Sequence, residues 1–372
     1  HIVDEGSFIV NLQDSRERLR YEREPGLLIR ELQAIKGEGK IFVFIDEIQK
    51  VPSILDDVQL LYDKAKERYQ FYITGSSARK LKYSSANLLP GRSHLYHLSP
   101  VLLNEIDHGK ESLVLPIHEI KGKRNQRFPR RSLEDILIYG NLPGLFSEPK
   151  ASRVRTLAAY TELYIEEEIR KEALARDIGG FARFLQIAAM EAGQIVNITK
   201  LSHDCHIPVN TIKGYYQLLE DTFIGIRIPA FGRSRKRILT SPRFLFFDLG
   251  VRNALSELPL DDTLLKFDPG HLFEMWVLAE LWHRCQYLRP GCKLTHWRAV
   301  SGTEVDAVIE LRGKAIPVEI KWTMNPKPTD ATHVERFMEI HKDLTDKGYI
   351  ICRCPNPQQL TDRVIAVPWE YI

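Results

Sequence analysis

Phe42-Val-Phe-Ile45 is an unbroken apolar run that stops abruptly at two acids, Asp46-Glu47. So short and continuous a run, extended backwards by Ile41, suits a parallel strand buried on both faces, because no alternate position is left polar for solvent. Pro52 to Glu67 then carries apolar residues at helical spacing, at Ile54, Leu55, Val58, Leu61, Tyr62 and Ala65. Phe71-Tyr-Ile-Thr74 follows as a second apolar strand, closed by Gly75-Ser-Ser77. Strand, helix and strand in succession predict an α/β sheet at the start of the chain.

The 372 residues are too many for one ordinary core, so two or three domains are expected, and the 44% apolar and 27% charged fractions are those of a globular protein. No apolar run is long enough to span a bilayer, and a membrane is not expected as a partner. The five cysteines, at 205, 285, 292, 352 and 354, fit no zinc spacing and are expected as reduced thiols in a cytoplasmic protein. Lys plus Arg exceeds Asp plus Glu by 52 to 49, so bulk charge does not advertise a nucleic-acid binder. Two local basic runs stand out, Lys121 to Arg131 and Arg233-Ser-Arg-Lys-Arg237. Either is a solvated loop or a phosphate-binding patch. The first methionine is Met190, so translation is expected to begin upstream of His1.

Beyond about Asp107 the period becomes helical. From Asn197 a compact unit follows: a helix over Thr199–Cys205, a turn at His206-Ile-Pro208, and a second helix over Val209–Glu220 with Ile212, Tyr216 and Leu219 on one face. With Ile224–Ile228 and the basic loop Arg233, Arg235, Lys236 and Arg237, this is the plan of a winged helix-turn-helix. Lys213 lies on the outward face of the second helix, and such a unit either contacts DNA or serves as a scaffold. If it binds, the basic loop should supply the phosphate contacts.

The sharpest chemistry is C-terminal. Asp306 sits in one alternating strand and Glu319 and Lys321 in the next, with twelve residues between the two acids. A hairpin turning near Arg312-Gly313 brings Asp306 beside the face shared by Glu319 and Lys321. Two adjacent carboxylates suit Mg²⁺, and an ammonium nearby orients water or balances a phosphate. Glu274, in the helix before these strands, is a third candidate ligand. This D…E-x-K arrangement is that of restriction-endonuclease-like nucleases; the bland alternative is a cross-strand salt bridge on a solvated sheet.

Taken together, Ile45-Asp-Glu-Ile-Gln49, Thr74-Gly-Ser-Ser77, Gly91-Arg92 and Leu98-Ser-Pro100 resemble a prokaryotic AAA+-like P-loop ATPase family whose members end in a PD-(D/E)XK nuclease-like domain. The resemblance runs from about Phe8 to Ile372. It implies that Asp46 lies near Mg²⁺, Glu47 near the attacking water, and Ser76 on a sensor strand beside the nucleotide. Arg92 is a trans-acting finger, which requires a homo-oligomer, or a sensor, or an arginine paired within its own loop. The family's Gly-Lys-Ser/Thr phosphate loop is not present, since no Gly-Lys pair here precedes Ser or Thr, and it is expected upstream of Phe8.

The expected architecture is therefore α/β and multidomain. Residues 1–106 form an AAA+ core lacking its phosphate loop, 107–194 a helical linker, 195–262 a winged helix, and 263–372 a restriction-endonuclease-like domain. The expected function is a nucleotide-regulated, DNA-associated ATPase using ATP and Mg²⁺, with a C-terminal nuclease. Its rival is a regulatory or scaffold ATPase, of defence or toxin–antitoxin type, whose nuclease fold is inert.

Overall fold

The computed structural model describes residues 6–37, 39–75, 94, 96–106, 110–115, 128–164, 177–232, 241–288, 290–299 and 302–372. The chain is mixed α/β and divides into two compact units, residues 1–95 and, Asp221–Phe223 apart, 96–372.

The first unit is built on a parallel sheet of β1 (Phe8–Asn11), β2 (Ile41–Asp46) and β3 (Tyr69–Ile73), with β2 in the middle. Its register sets Val10 beside Ile45, Asn11 beside Asp46, and Ile45 beside Ile73. Helices α1 (Ser15–Arg23), α2 (Leu27–Ala34) and α3 (Ile54–Ala65) complete it. Val10, Leu28, Leu32, Val43, Ile45 and Val58 are fully buried in one core. The apolar run of β2 was expected to be covered on both faces, and the structure corrects this. Among the described residues the core helices pack on one face only. On the other, Phe42 is 38% exposed and stacks on Tyr72 at 6.4 Å.

Among its described residues the second unit carries, in chain order, the helices α4 (Leu133–Tyr139), α5 (Lys150–Tyr164) and α6 (Ile178–Met190). Next come α7 (Ile198–Cys205) and α8 (Val209–Asp221), joined through His206 in a left-handed conformation. Asn197 caps α7, its side chain accepting the Lys200 amide. An antiparallel pair follows, β4 (Gly225–Ile228) and β5 (Arg243–Phe246), and then α9 (Leu249–Leu255).

The long helix α10 (Pro269–Tyr287) leads into a six-stranded sheet. Its strands are β6 (Cys292–Arg298), β7 (Glu304–Leu311), β8 (Lys314–Ile320), β9 (Gly348–Cys352), β10 (Gln358–Gln359) and β11 (Val364–Pro368), in the order β10-β11-β9-β8-β7-β6. β6, β7 and β8 form an antiparallel meander, and β8 then pairs parallel with β9. Arg312 and Gly313, both at positive φ, make the two-residue turn between β7 and β8 that a twisted hairpin favours.

One continuous core links α6, α8, β5, α10 and the meander through Phe184, Tyr216, Phe244, Phe273 and Ile309. Helix α11 (Thr332–Ile340) sets Val334 and Phe337 against Val308 and Ile350 in a separate cluster. Among the described residues no helix is long and apolar enough to cross a membrane.

Candidate functional sites

The β7–β8 hairpin places Asp306 one step beyond the paired Ala307 and Val318, and so opposite Glu319. Asp306 Oδ2 accepts the Ile320 amide at 2.8 Å, which fixes the carboxylate against β8. Glu319 Oε1 accepts from Lys321 Nζ at 2.8 Å and lies 3.9 Å from His333 Nδ1 on α11. Glu319 is only 4% exposed, and its Oε2 is buried with no hydrogen-bond partner among the described residues. Burial, reinforced by Glu274, pushes Asp306 up to about 7; burial, reinforced by Asp306, pushes Glu319 up to about 7. Burial works against the Lys321 ammonium, but Glu319 overrides it and holds the proton on.

Glu274, expected as a third ligand, is engaged elsewhere. Its Oε1 accepts from Arg243 Nη1 at 2.5 Å, and Arg243 Nη2 stands 3.7 Å from Asp306 Oδ1. A carboxylate beside a buried guanidinium takes that charge-assisted bond first. Among the described residues no three or more His, Cys, Asp or Glu side chains are gathered into a metal site. Arg243 is the residue that sequence reasoning missed. It is a single basic residue opening a short apolar strand, and nothing local marks it.

On α8 the buried face carries Ile212, Tyr216 and Leu219, while Lys213 is exposed with Asn210, Thr211 and Gln217. Arg233, Arg235, Lys236 and Arg237 lie outside the described residues.

The acid pair at the head of the chain is the more tightly organised site. Asp46 ends β2, and Glu47 turns the chain at φ 57°, a left-handed conformation that a non-glycine residue adopts at a cost of about 1–2 kcal/mol. Thr74, just past β3, holds the turn. Its amide donates to Ile45 O at 2.9 Å, and its carbonyl accepts the Ile48 amide at 3.0 Å. Its hydroxyl donates to Asp46 Oδ1 at 2.5 Å and accepts the Glu47 amide at 3.2 Å. Gln49 Nε2 donates to Glu47 Oε2 at 2.7 Å. Both acids therefore sit at the carboxyl end of the central parallel strand, where ligands bind in open α/β sheets.

Residues 2–107 match the family model of an AAA domain. Residues 130–262 and 269–372 match two further models, each described as a domain of unknown function (DUF8612 and DUF4143). Uncharacterized proteins of Mycobacterium bovis and Mycobacterium tuberculosis are each 24% identical over 336 residues, covering 89% of this chain and 69% of the relative. A crystal structure of a Vibrio cholerae protein aligns over 98% of this chain and 94% of its own, at 13% identity and a TM-score of 0.19. So low a TM-score carries no structural argument.

Within the AAA domain, sequence reasoning named both acids and the apolar strands that carry them. It chose Ser76 as the polar group on the neighbouring strand, and Ser76, like Arg92, lies outside the described residues. The hydroxyl that the structure sets against Asp46 belongs to Thr74. Its signal was its place as the first hydroxyl after the strand.

Proposed function

We propose that this chain forms the hydrolytic and effector part of a nucleotide-regulated, DNA-associated AAA-type ATPase, with a winged helix and a restriction-endonuclease-like C-terminal domain. The observation that carries the reading is the Asp46–Thr74–Glu47 arrangement at the end of the central strand of the AAA domain. Asp46 is the residue that would hold Mg²⁺ with a bound nucleotide, and the ion would neutralise charge on the phosphates. Glu47 would orient the attacking water and take its proton. Thr74 fixes both acids, and Gln49 aims the Glu47 carboxylate.

For the C-terminal domain, the fit to a divalent cation rests on Glu319 Oε2, a buried oxygen with no donor among the described residues, beside a second crowded carboxylate. Asp306 and Glu319 would hold the ion, which would polarise a phosphodiester oxygen and lower the pKa of a bound water. Lys321 would balance charge at the scissile phosphate. Supercoiled DNA nicked by the full-length protein with Mg²⁺, in a manner that differs between ATP and ADP and is lost in Lys321→Ala, is the expected result.

The second reading is an inert nuclease fold retained for binding. It is favoured by the Lys321–Glu319 ion pair and by Arg243 engaging Glu274. Intact DNA in every nucleotide state, with Mg²⁺ or Mn²⁺, decides for it.

A further inference from the structure

We propose that Arg243 occupies the cation place of the Asp306–Glu319 cluster, and that a divalent cation binds there only in competition with it. The proposal rests on the cation-site reading above and adds what controls that site.

The guanidinium is set in place from a distance. Arg243 is 6% exposed and opens β5, where its backbone pairs with Ile228 of β4 and bridges to Ile195. From there it reaches Glu274 on α10 and faces Asp306 on β7. Of the two Asp306 oxygens, Oδ2 is committed to the Ile320 amide, so Oδ1 is the one left for a cation. Oδ1 is also the oxygen that Arg243 Nη2 approaches at 3.7 Å, too far for a hydrogen bond and close enough to repel a metal ion. Across the cluster, Glu319 Oε2 has no donor among the described residues.

Charge points the same way. Glu274, Asp306 and Glu304 act on the Arg243 guanidinium, and Glu319, Asp306 and Asp330 on the Lys321 ammonium. A divalent ion at Asp306 Oδ1 would stand against the Arg243 guanidinium, which already approaches that oxygen. Like charges this close in a buried site disfavour the doubly filled state. The cluster thus has two cation states, Arg243 docked or divalent ion bound. Since Arg243 belongs to the strand pair that follows α8, the position of that pair and the affinity for the ion are linked, each shifting the other.

The test is a Mn²⁺ titration of the full chain by calorimetry, with melting curves in parallel, on the parent, Arg243→Gln, Asp306→Asn and the double variant Arg243→Gln/Glu274→Gln. The double variant replaces the buried ion pair by a neutral amide pair, and it carries the test where the single variant leaves Glu274 unpaired and fails to fold. Removing Arg243 should tighten Mn²⁺ binding at least tenfold, and Asp306→Asn should abolish it. Unchanged or weaker Mn²⁺ binding without Arg243, while the parent binds, overturns the competition and leaves the cation site standing. No Mn²⁺ binding in the parent or in any variant removes the site itself.

Discussion

The Thr74 hydroxyl donates to Asp46 Oδ1 at 2.5 Å while accepting the Glu47 amide at 3.2 Å, so one side chain holds both acids of the AAA domain. Valine in its place keeps the shape and removes both bonds. Thr74→Val should cost about 1–3 kcal/mol, because a partly buried carboxylate oxygen loses its donor and an amide its acceptor. Urea unfolding measures the loss. Nucleotide hydrolysis should fall more than nucleotide binding, since Glu47 loses its register.

The second unit should carry a pH signature from His283. Burial drives its imidazole down to about 4, and Nε2 lies 2.8 Å from Phe247 O. The unfolded chain takes up a proton near its ordinary value of 6.5, and the folded one does so only near 4. Stability from the neutral ring is therefore full above pH 6.5 and lost as pH falls towards 4, by up to about 3 kcal/mol. Asp248, pushed up to about 6 by burial, acts oppositely as pH falls below its folded value. The informative quantity is thus the difference between parent and His283→Gln in urea unfolding at pH 7 and pH 5. That difference should shrink or reverse at the lower pH; a constant difference would count against the buried neutral ring.

Gly140 and Asp248 are locked together at the α4–α9 contact. Gly140 has φ +66°, and a Cβ there would lie 2.2 Å from Asp248 Oδ1. Asp248 Oδ2 accepts the Asn141 amide at 2.6 Å, and Oδ1 accepts the Val251 amide at 3.1 Å, capping α9. Gly140→Ala should destabilise the second unit by about 3 kcal/mol or more, through overpacking and a strained φ together. A melting temperature unchanged from the parent would show that the contact yields freely.

Replacing Arg233, Arg235, Lys236 and Arg237 by alanine should flatten the salt dependence of DNA affinity. Each lost phosphate contact removes about 0.9 from the log–log slope on duplex DNA. Lys213→Ala, on the exposed face of α8, should reduce affinity without such a change if it reads base edges. An unaltered slope in the fourfold variant marks the run as a solvated loop.

Much of this was legible in the sequence because it is local. An apolar run stopping at Asp46-Glu47 defines its strand unaided, and the spacing of Asp306 and Glu319 around Arg312-Gly313 sets a hairpin that makes them neighbours. What was illegible is long-range. Phe42 reads as core, and only packing shows that it is partly exposed. Glu274 reads as a metal ligand until β5, remote in sequence, brings Arg243 to it. Asp248 and Asn253 carry no local signal. Their bonds to Asn141, Leu137 and Ile138 reach back over a hundred positions, which no periodicity records.

That Asp46 and Glu47 form the hydrolytic end of an ATPase site is tested most directly by phosphate release from ATP by the full-length protein. The parent should release phosphate in a Mg²⁺-dependent reaction. Glu47→Gln, which keeps the side-chain volume and can still hydrogen-bond Gln49, should retain ATP and slow its hydrolysis about a hundredfold or more, the scale expected for losing a positioned general base. Equal turnover in parent and variant, at equal ATP occupancy, would contradict the account.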